Sequence, residues 1–323
     1  MDTSIYQKEF LEYLRSKDWV REPKNLYEPI DYILQLSGKR IRPILTLMAC
    51  DVFSGRYQTA LPAALAVEVF HNFTLVHDDI MDDAPLRRGQ KTVHEKWDIN
   101  TGILSGDAML ILAYQFFENY DPLVFQKLAK LFSQTALEVC DGQQLDIDFE
   151  TRNDVTIEQY LDMIRLKTSV LVAASLKMGA IVAEASESDA NLLYDYGLNL
   201  GLAFQLQDDY LDTFGDPKTF GKQVGGDIIE NKKTYLYLKA LELASKDDKQ
   251  KLLFFYEQKL KDHTNKIAQV KRIFEKYDIP YFVQGLIKDH TVTSFSSLER
   301  MNIDLEHKKR LRAFGSFLMS RSR

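Results

Sequence analysis

Six aspartates stand in two groups of identical spacing: Asp78, Asp79 and Asp82 in Asp-Asp-Ile-Met-Asp, and Asp208, Asp209 and Asp212 in Asp-Asp-Tyr-Leu-Asp, 130 residues further on. On a helix the outer acids of each group are four residues apart and stack on one face, with the middle acid about 100° round the wheel. The repulsion within an i,i+4 pair is only about 0.2–0.5 kcal/mol, so one such group alone is compatible with a solvated helix end. Each group, however, closes a largely apolar run, Val67–His77 and Tyr196–Leu211, at the helix end where the macrodipole disfavours anions. Two matching groups in matching positions point to a shared task. Carboxylates are hard oxygen ligands, and with little His and no Cys beside them they favour Mg²⁺ over zinc or copper. Mg²⁺ keeps waters and takes phosphate oxygens, so the paired acids read as a diphosphate clamp and not as a closed structural cage.

A diphosphate also needs cations, and these come in short separated groups. Gly38-Lys39-Arg40-Ile41-Arg42-Pro43 offers Lys39 and Arg42, with Pro43 suited to the first turn of a following helix, whose N–H groups favour anions. Arg87-Arg88-Gly89 follows the first acid group; helix C-capping would account for one arginine and the glycine, and the guanidinium forks suit carboxylate or phosphate. Lys167-Thr168, Lys222 among the glycines Gly221, Gly225 and Gly226, and Lys232 extend the set, although each lysine alone is more often a surface charge. His71, on an apolar helix, and Gln205 read by themselves as hydrogen-bonded core residues.

The elements that must carry these groups are helices. Apolar residues recur at three- and four-residue spacings, and no convincing sheet is found. The predicted helices are 4–16, 29–36, 43–53, 61–82, 105–119, 123–148, 156–185, 189–214, 233–245, 247–261 and 265–277. From about Asp278 the periodicity weakens. Short breaks of Gly, Pro, Asp or Asn fit antiparallel packing, so the expectation is all-α: one domain over 1–323, an antiparallel helical bundle.

At 323 residues and 45% hydrophobic content the chain can bury a large core, and a formal charge of −6 argues against a generic nucleic-acid partner. Cys50 and Cys140 lie in apolar helical patterns and read as reduced core residues. The first ten residues lack a secretory apolar region, and the best membrane candidate, Ser169–Ala183, is short and broken by Lys177 and Gly179. The expectation is a cytoplasmic protein that does not span a membrane.

Taken in order, the segments GKRIRP, VHDDIMDDAPLRRGQ, CDGQQLD, RLKTSVL, FQLQDDYLDTFGD and GKQVGGDIIENKKTYL, from Ser37 to Tyr235, resemble the trans-isoprenyl diphosphate synthases, or polyprenyl synthetases. That resemblance implies an isoprenoid synthase fold, usually a homodimer, with a central active-site cavity below two facing Asp motifs. It implies that Asp78, Asp79, Asp82, Asp208, Asp209 and Asp212 hold several Mg²⁺ ions and an allylic diphosphate. Lys39, Arg42, His71 and Arg88 match the isopentenyl diphosphate site. Arg87, Lys167, Lys222 and Lys232 match residues that steady the allylic diphosphate, Thr168 and Gln205 line the reaction centre, and Gln143 and Asp146 match a polar patch facing the substrate.

The implied chemistry is ionisation of the allylic C1–O bond, attack by the double bond of isopentenyl diphosphate and loss of a proton to the departed diphosphate. The Gly221–Gly226 loop is expected to act as a lid that excludes water. Product length in such enzymes is limited by side chains below the first Asp motif. A helical wheel favours Thr74, four residues before Asp78, whereas the resemblance favours the aromatic five before it, Phe73, and a C20 geranylgeranyl product, with C15 farnesyl as the alternative. Three rivals remain: an HD-type metal phosphohydrolase using His71 and His77-Asp78, a class I terpene cyclase, and a non-enzymatic regulatory subunit of the same fold.

Overall fold

The computed structural model describes residues 4–216, 224–257 and 263–320. Two compact units divide them, one built from residues 1–134 and 174–193, the other from 135–173 and 194–323.

In the first unit, α1 (Ser4–Arg15), α2 (Lys24–Gln35), α3 (Ile41–Ser54), α4 (Leu61–Met81) and α6 (Ile99–Gln115) are joined by short connections that include the four-residue helix α5 (Val93–Lys96). α4 is the hub and packs against α3 and α6. Small and apolar side chains nearly all round it, from Ala63 to Val76, are buried. Such a helix belongs in a core. The stretch Tyr57–Met81, and not Ser169–Ala183, is long and apolar enough to cross a bilayer, and 67% of its most apolar window is buried within the protein.

α2 and α6 begin about five residues earlier than the pattern suggests. Pro29 lies inside α2 instead of opening it, and Asp98 caps α6 by accepting the Thr101 N–H at 2.9 Å.

α4 ends through a Schellman arrangement. Asp83 takes the left-handed conformation (φ 50°), the Asp83 N–H donates to Ile80 O, and the Ala84 N–H donates to Asp79 O at 2.9 Å. Gly89 is therefore not a helix cap. Arg88 (φ 54°) and Gly89 (φ 76°) instead form the turn of a small antiparallel hairpin, β1 (Leu86–Arg87) with β2 (Gln90–Lys91), the one sheet among the described residues. Positive φ at both central residues is the two-residue hairpin turn that matches strand twist.

α7 (Pro122–Thr151), α9 (Val170–Val182) and α10 (Glu187–Phe214) each contribute residues to both units. Cys140 on α7 is exposed, contrary to expectation, because the adjacent Val139 takes the inward position; Cys50 is buried as expected. The single helix expected over 156–185 is α8 (Ile157–Ile164), a π turn over Arg165–Ser169, and α9. Thr156 and Gln159 close a capping box at the start of α8.

The second unit continues with α11 (Gly226–Ile229), α12 (Tyr235–Leu243), α13 (Lys246–Glu257), α14 (His263–Lys276), α15 (Ile279–Arg300) and α16 (Leu305–Met319). Its core gathers Phe149, Tyr160, Leu206, Leu236, Leu252, Phe274 and Val283. In α15 small polar side chains take some of the buried places, whereas α16 buries Leu311, Phe314 and Leu318 on one face. Ser294 and Ser297 are buried, and the Ser294 hydroxyl donates to the Tyr196 carbonyl at 2.8 Å.

Candidate active site

In the second unit a cavity of about 250 Å³ is lined by residues from α7, α8, the π turn, α10 and the segment around α11. The π turn carries Lys167 and Thr168 to it. Widening one turn by a residue re-aims side chains without breaking the helix, and such turns recur at functional sites. Gly142 of α7 makes room: a Cβ there would lie 2.2 Å from the Lys167 nitrogen, so only glycine lets α7 pass against this turn.

Around the cavity the polar groups form a chain. Lys167 Nζ donates to Asp146 Oδ2 at 2.5 Å, and Thr168 donates to Gln205 Oε1 at 3.2 Å. Gln205 Nε2 donates to Asp209 Oδ1 at 3.0 Å, and the Tyr160 hydroxyl donates to Asp209 Oδ2. Asp208, Asp209 and Asp212 share the lining with Lys232. Gln143, half-buried three residues before Asp146, is not among the lining residues. Gly221 and Lys222 lie outside the described residues.

Asp227 is a lining residue that the sequence reading missed. Its N–H donates to Asp212 Oδ2 at 3.0 Å, which ties the start of α11 to the second Asp motif. Burial pushes the Asp227 carboxyl up to about 8, with Asp209 and Asp212 adding to it. Burial pushes Asp209 up to about 7 against the hydrogen bonds from Tyr160 and Gln205, and Asp208 adds to the rise. Burial would depress Lys232, but Glu230, 3.1 Å away, and Asp227 more than offset this and raise it.

In the first unit, Arg87 Nε donates to both Asp79 oxygens at 2.7 and 2.8 Å, Nη2 lies 2.6 Å from Asp79 Oδ1, and the same guanidinium lies 3.5 Å from Asp78 Oδ2. Asp79 is 1% exposed, and burial raises its pKa against the pull of Arg87. Arg87 thus fixes the first Asp motif through the hairpin. Asp82 is exposed at the C-cap of α4.

The proposed isopentenyl diphosphate residues cluster here too. Arg42 Nη1 lies 3.1 Å from His71 Nε2, which must accept, so the His71 proton sits on Nδ1. Burial, with Arg42 and Arg88 beside it, holds His71 well below its usual pKa, so the ring is neutral at pH 7. Burial also lowers Arg42 to about 10. Arg88 lies over Gly38, and Lys39 is exposed.

Beneath them runs a buried network that the sequence reading did not assign. Arg40, left-handed at φ 50°, donates to Glu68 and to the carbonyls of Leu34 at 2.6 Å and Leu36 at 2.7 Å. Asn72 donates to Glu68 Oε1 at 3.1 Å. The one legible signal is Glu68 itself, a charged residue within an apolar helix.

The acids fit a hard cation. Among the described residues no group of three His, Cys, Asp or Glu side chains is already gathered closely enough to hold a metal ion, while Asp208, Asp209, Asp212 and Asp227 line one cavity, where Asp208 adds to the raised pKa of Asp209, and Asp209 and Asp212 add to that of Asp227. An incomplete, all-oxygen set suits Mg²⁺, which draws its remaining ligands from water and phosphate.

Similarity to known proteins agrees with this geometry. The sequence matches the polyprenyl synthetase family over residues 23–276. It is 36% identical over 303 residues to the short chain isoprenyl diphosphate synthase of Methanothermobacter thermautotrophicus, covering 93% of this chain and 91% of that protein. It is 35% identical over 328 residues to the geranylgeranyl diphosphate synthase of Saccharolobus solfataricus, covering 99% and 98%. A crystal structure of a geranylgeranyl pyrophosphate synthase is 53% identical with a TM-score of 0.95, covering 99% of each chain. By sequence and by fold alike, the chain belongs to the polyprenyl synthetase family and is a prenyltransferase of the all-α isoprenoid synthase fold.

Proposed function

We propose that this enzyme condenses isopentenyl diphosphate with allylic diphosphates (dimethylallyl, geranyl, farnesyl) to geranylgeranyl diphosphate, with 1–323 acting as one catalytic domain. The observation that carries the reading is the single cavity where Asp208, Asp209 and Asp212 meet Lys167, Thr168, Gln205 and Lys232. Likeness to geranylgeranyl diphosphate synthases supports the C20 product over farnesyl diphosphate, and the intact acids and cations favour an active enzyme over a regulatory subunit.

In this reading Asp78, Asp79, Asp82, Asp208, Asp209 and Asp212 hold Mg²⁺. When bound, the metal withdraws charge from the allylic diphosphate and so eases cleavage of its C1–O bond. Lys167 and Lys232 neutralise the leaving group, with Arg87 and Lys222 in the same role. Thr168 and Gln205 present oxygens to the electron-poor carbon, and Gln205 also steadies Asp209. Lys39, Arg42 and Arg88 bind isopentenyl diphosphate. His71 is a neutral acceptor for Arg42 that keeps the guanidinium pointed without adding charge. Phe73, one residue further from the first Asp motif than Thr74, forms the floor that stops elongation.

In the same reading the enzyme works in the cytoplasm as a homodimer. Leu104 and Ile111, on one face of α6 and 59% and 60% exposed, supply apolar surface for a second copy. One experiment tests the central reading: purified protein, isopentenyl diphosphate, each allylic diphosphate and Mg²⁺, with product length as the readout. C20 products that vanish with EDTA are expected. Full activity without a divalent metal refutes the mechanism, and activity only beside a second subunit supports the regulatory reading.

A further inference from the structure

We propose that His77 is a specificity-determining residue that sets product length by bracing Phe73, an inference that rests on reading Phe73 as the floor. The two residues are four apart on α4 and meet ring to ring, with centroids 4.8 Å apart at 67°. Phe70 holds Phe73 from its other side at 5.5 Å, and Phe73 is 9% exposed. The phenylalanine is therefore gripped between two rings.

His77 is itself pinned. Its Nε2 lies 3.1 Å from the Ile103 carbonyl, which can only accept, so Nε2 carries the proton and donates; Asp107 Oδ1 lies 4.0 Å away. The imidazole fills the gap left by Gly106, where a Cβ would lie 2.2 Å from Nε2. α6 thus offers the ring a fitted notch and a hydrogen bond, and the ring transmits that fixed position to Phe73. In a close-packed interior an aromatic side chain keeps its rotamer while its neighbours occupy the alternative space. Removing the imidazole opens that space beside Phe73.

The test compares the products of wild type, Phe73→Ala, His77→Ala, His77→Gln and the Phe73→Ala/His77→Ala double variant, each given farnesyl diphosphate, isopentenyl diphosphate and Mg²⁺. Phe73→Ala is expected to yield chains beyond C20. His77→Ala should raise the share of such chains by about two- to tenfold, the range that corresponds to an aromatic contact of this kind. His77→Gln can still donate to the Ile103 carbonyl but lacks the ring, so it should lengthen products as well; it decides the matter if the alanine variant does not fold. The double variant should match Phe73→Ala alone, because a brace has no effect once the braced ring is gone. Wild-type products from both His77 variants beside longer products from Phe73→Ala overturn the brace and leave the floor standing. Equal lengthening by His77→Ala in the Phe73→Ala background also overturns it. Wild-type products from Phe73→Ala remove the floor, and the brace falls with it.

Discussion

Replacing Arg40 with alanine removes three hydrogen bonds, one to Glu68 and two to the carbonyls of Leu34 and Leu36. Glu68, 2% exposed, is left with the Asn72 side chain as its donor. Breaking a buried ion pair from one side typically costs about 3–5 kcal/mol, mostly the penalty of a stranded charge. The backbone adds a second, separable effect. Arg40 is left-handed, where a Cβ costs about 1–2 kcal/mol, so Arg40→Gly should lose about 1 kcal/mol less than Arg40→Ala. Replacing both partners, as Arg40→Met with Glu68→Met, should recover most of the loss because no charge is then stranded. Urea unfolding of the four proteins measures all three terms. If Arg40→Ala lies within about 1 kcal/mol of wild type, or the double variant is no better than Arg40→Ala alone, the network is not the support described above.

Two further outcomes follow from the second unit. Tyr160→Phe keeps the ring but removes the hydroxyl that donates to Asp209; loss of such a supporting contact usually costs about 10–100-fold in metal affinity or activity, and the Mg²⁺ concentration for half-maximal turnover should rise accordingly, an unchanged value excluding the role. Asp248 on α13 accepts from Lys276 at 2.6 Å, Lys251 at 3.1 Å and the Tyr277 hydroxyl at 2.9 Å, and these hold its carboxyl well below the usual range. A depressed folded pKa gives stability that is present above the unfolded value of about 3.9 and is lost as pH falls toward the folded one. Asp248→Asn should therefore destabilise at pH 7, with the gap to wild type narrowing below about pH 4; a gap that stays constant with pH refutes the assignment.

The helices with apolar stripes and the acid pairs were legible because each is a local pattern. The π turn was not. One extra residue in a turn shifts phase by about 100°, and the apolar run from Tyr160 to Val182 is continuous enough to hide the slip. The capping alternative for the RRG glycine could not be settled from sequence, because glycine serves equally as a helix cap and as a hairpin turn, and the sequence does not reveal that Asp83 takes the capping position. α15 escaped notice because its buried serines, Ser294 and Ser297, carry no hydrophobic signal. Arg40 with Glu68 and Tyr160 with Asp209 are pairs 28 and 49 residues apart, and no periodicity links such partners.

The hairpin that carries Arg87 and Arg88 pairs only two residues with two, far below what stands alone in water. Its order is borrowed from outside: from the grip of Arg87 on Asp79, and from Thr92, which donates to Ala84 O at 2.8 Å and Pro85 O at 3.2 Å. Two cations proposed to meet substrate thus ride on a segment whose opening free energy should fall near the low end for this protein, while α4 beside it should exchange slowly with the core. Amide hydrogen exchange should therefore divide sharply at Asp83. Any ligand that engages either arginine will register first as protection of residues 86–91.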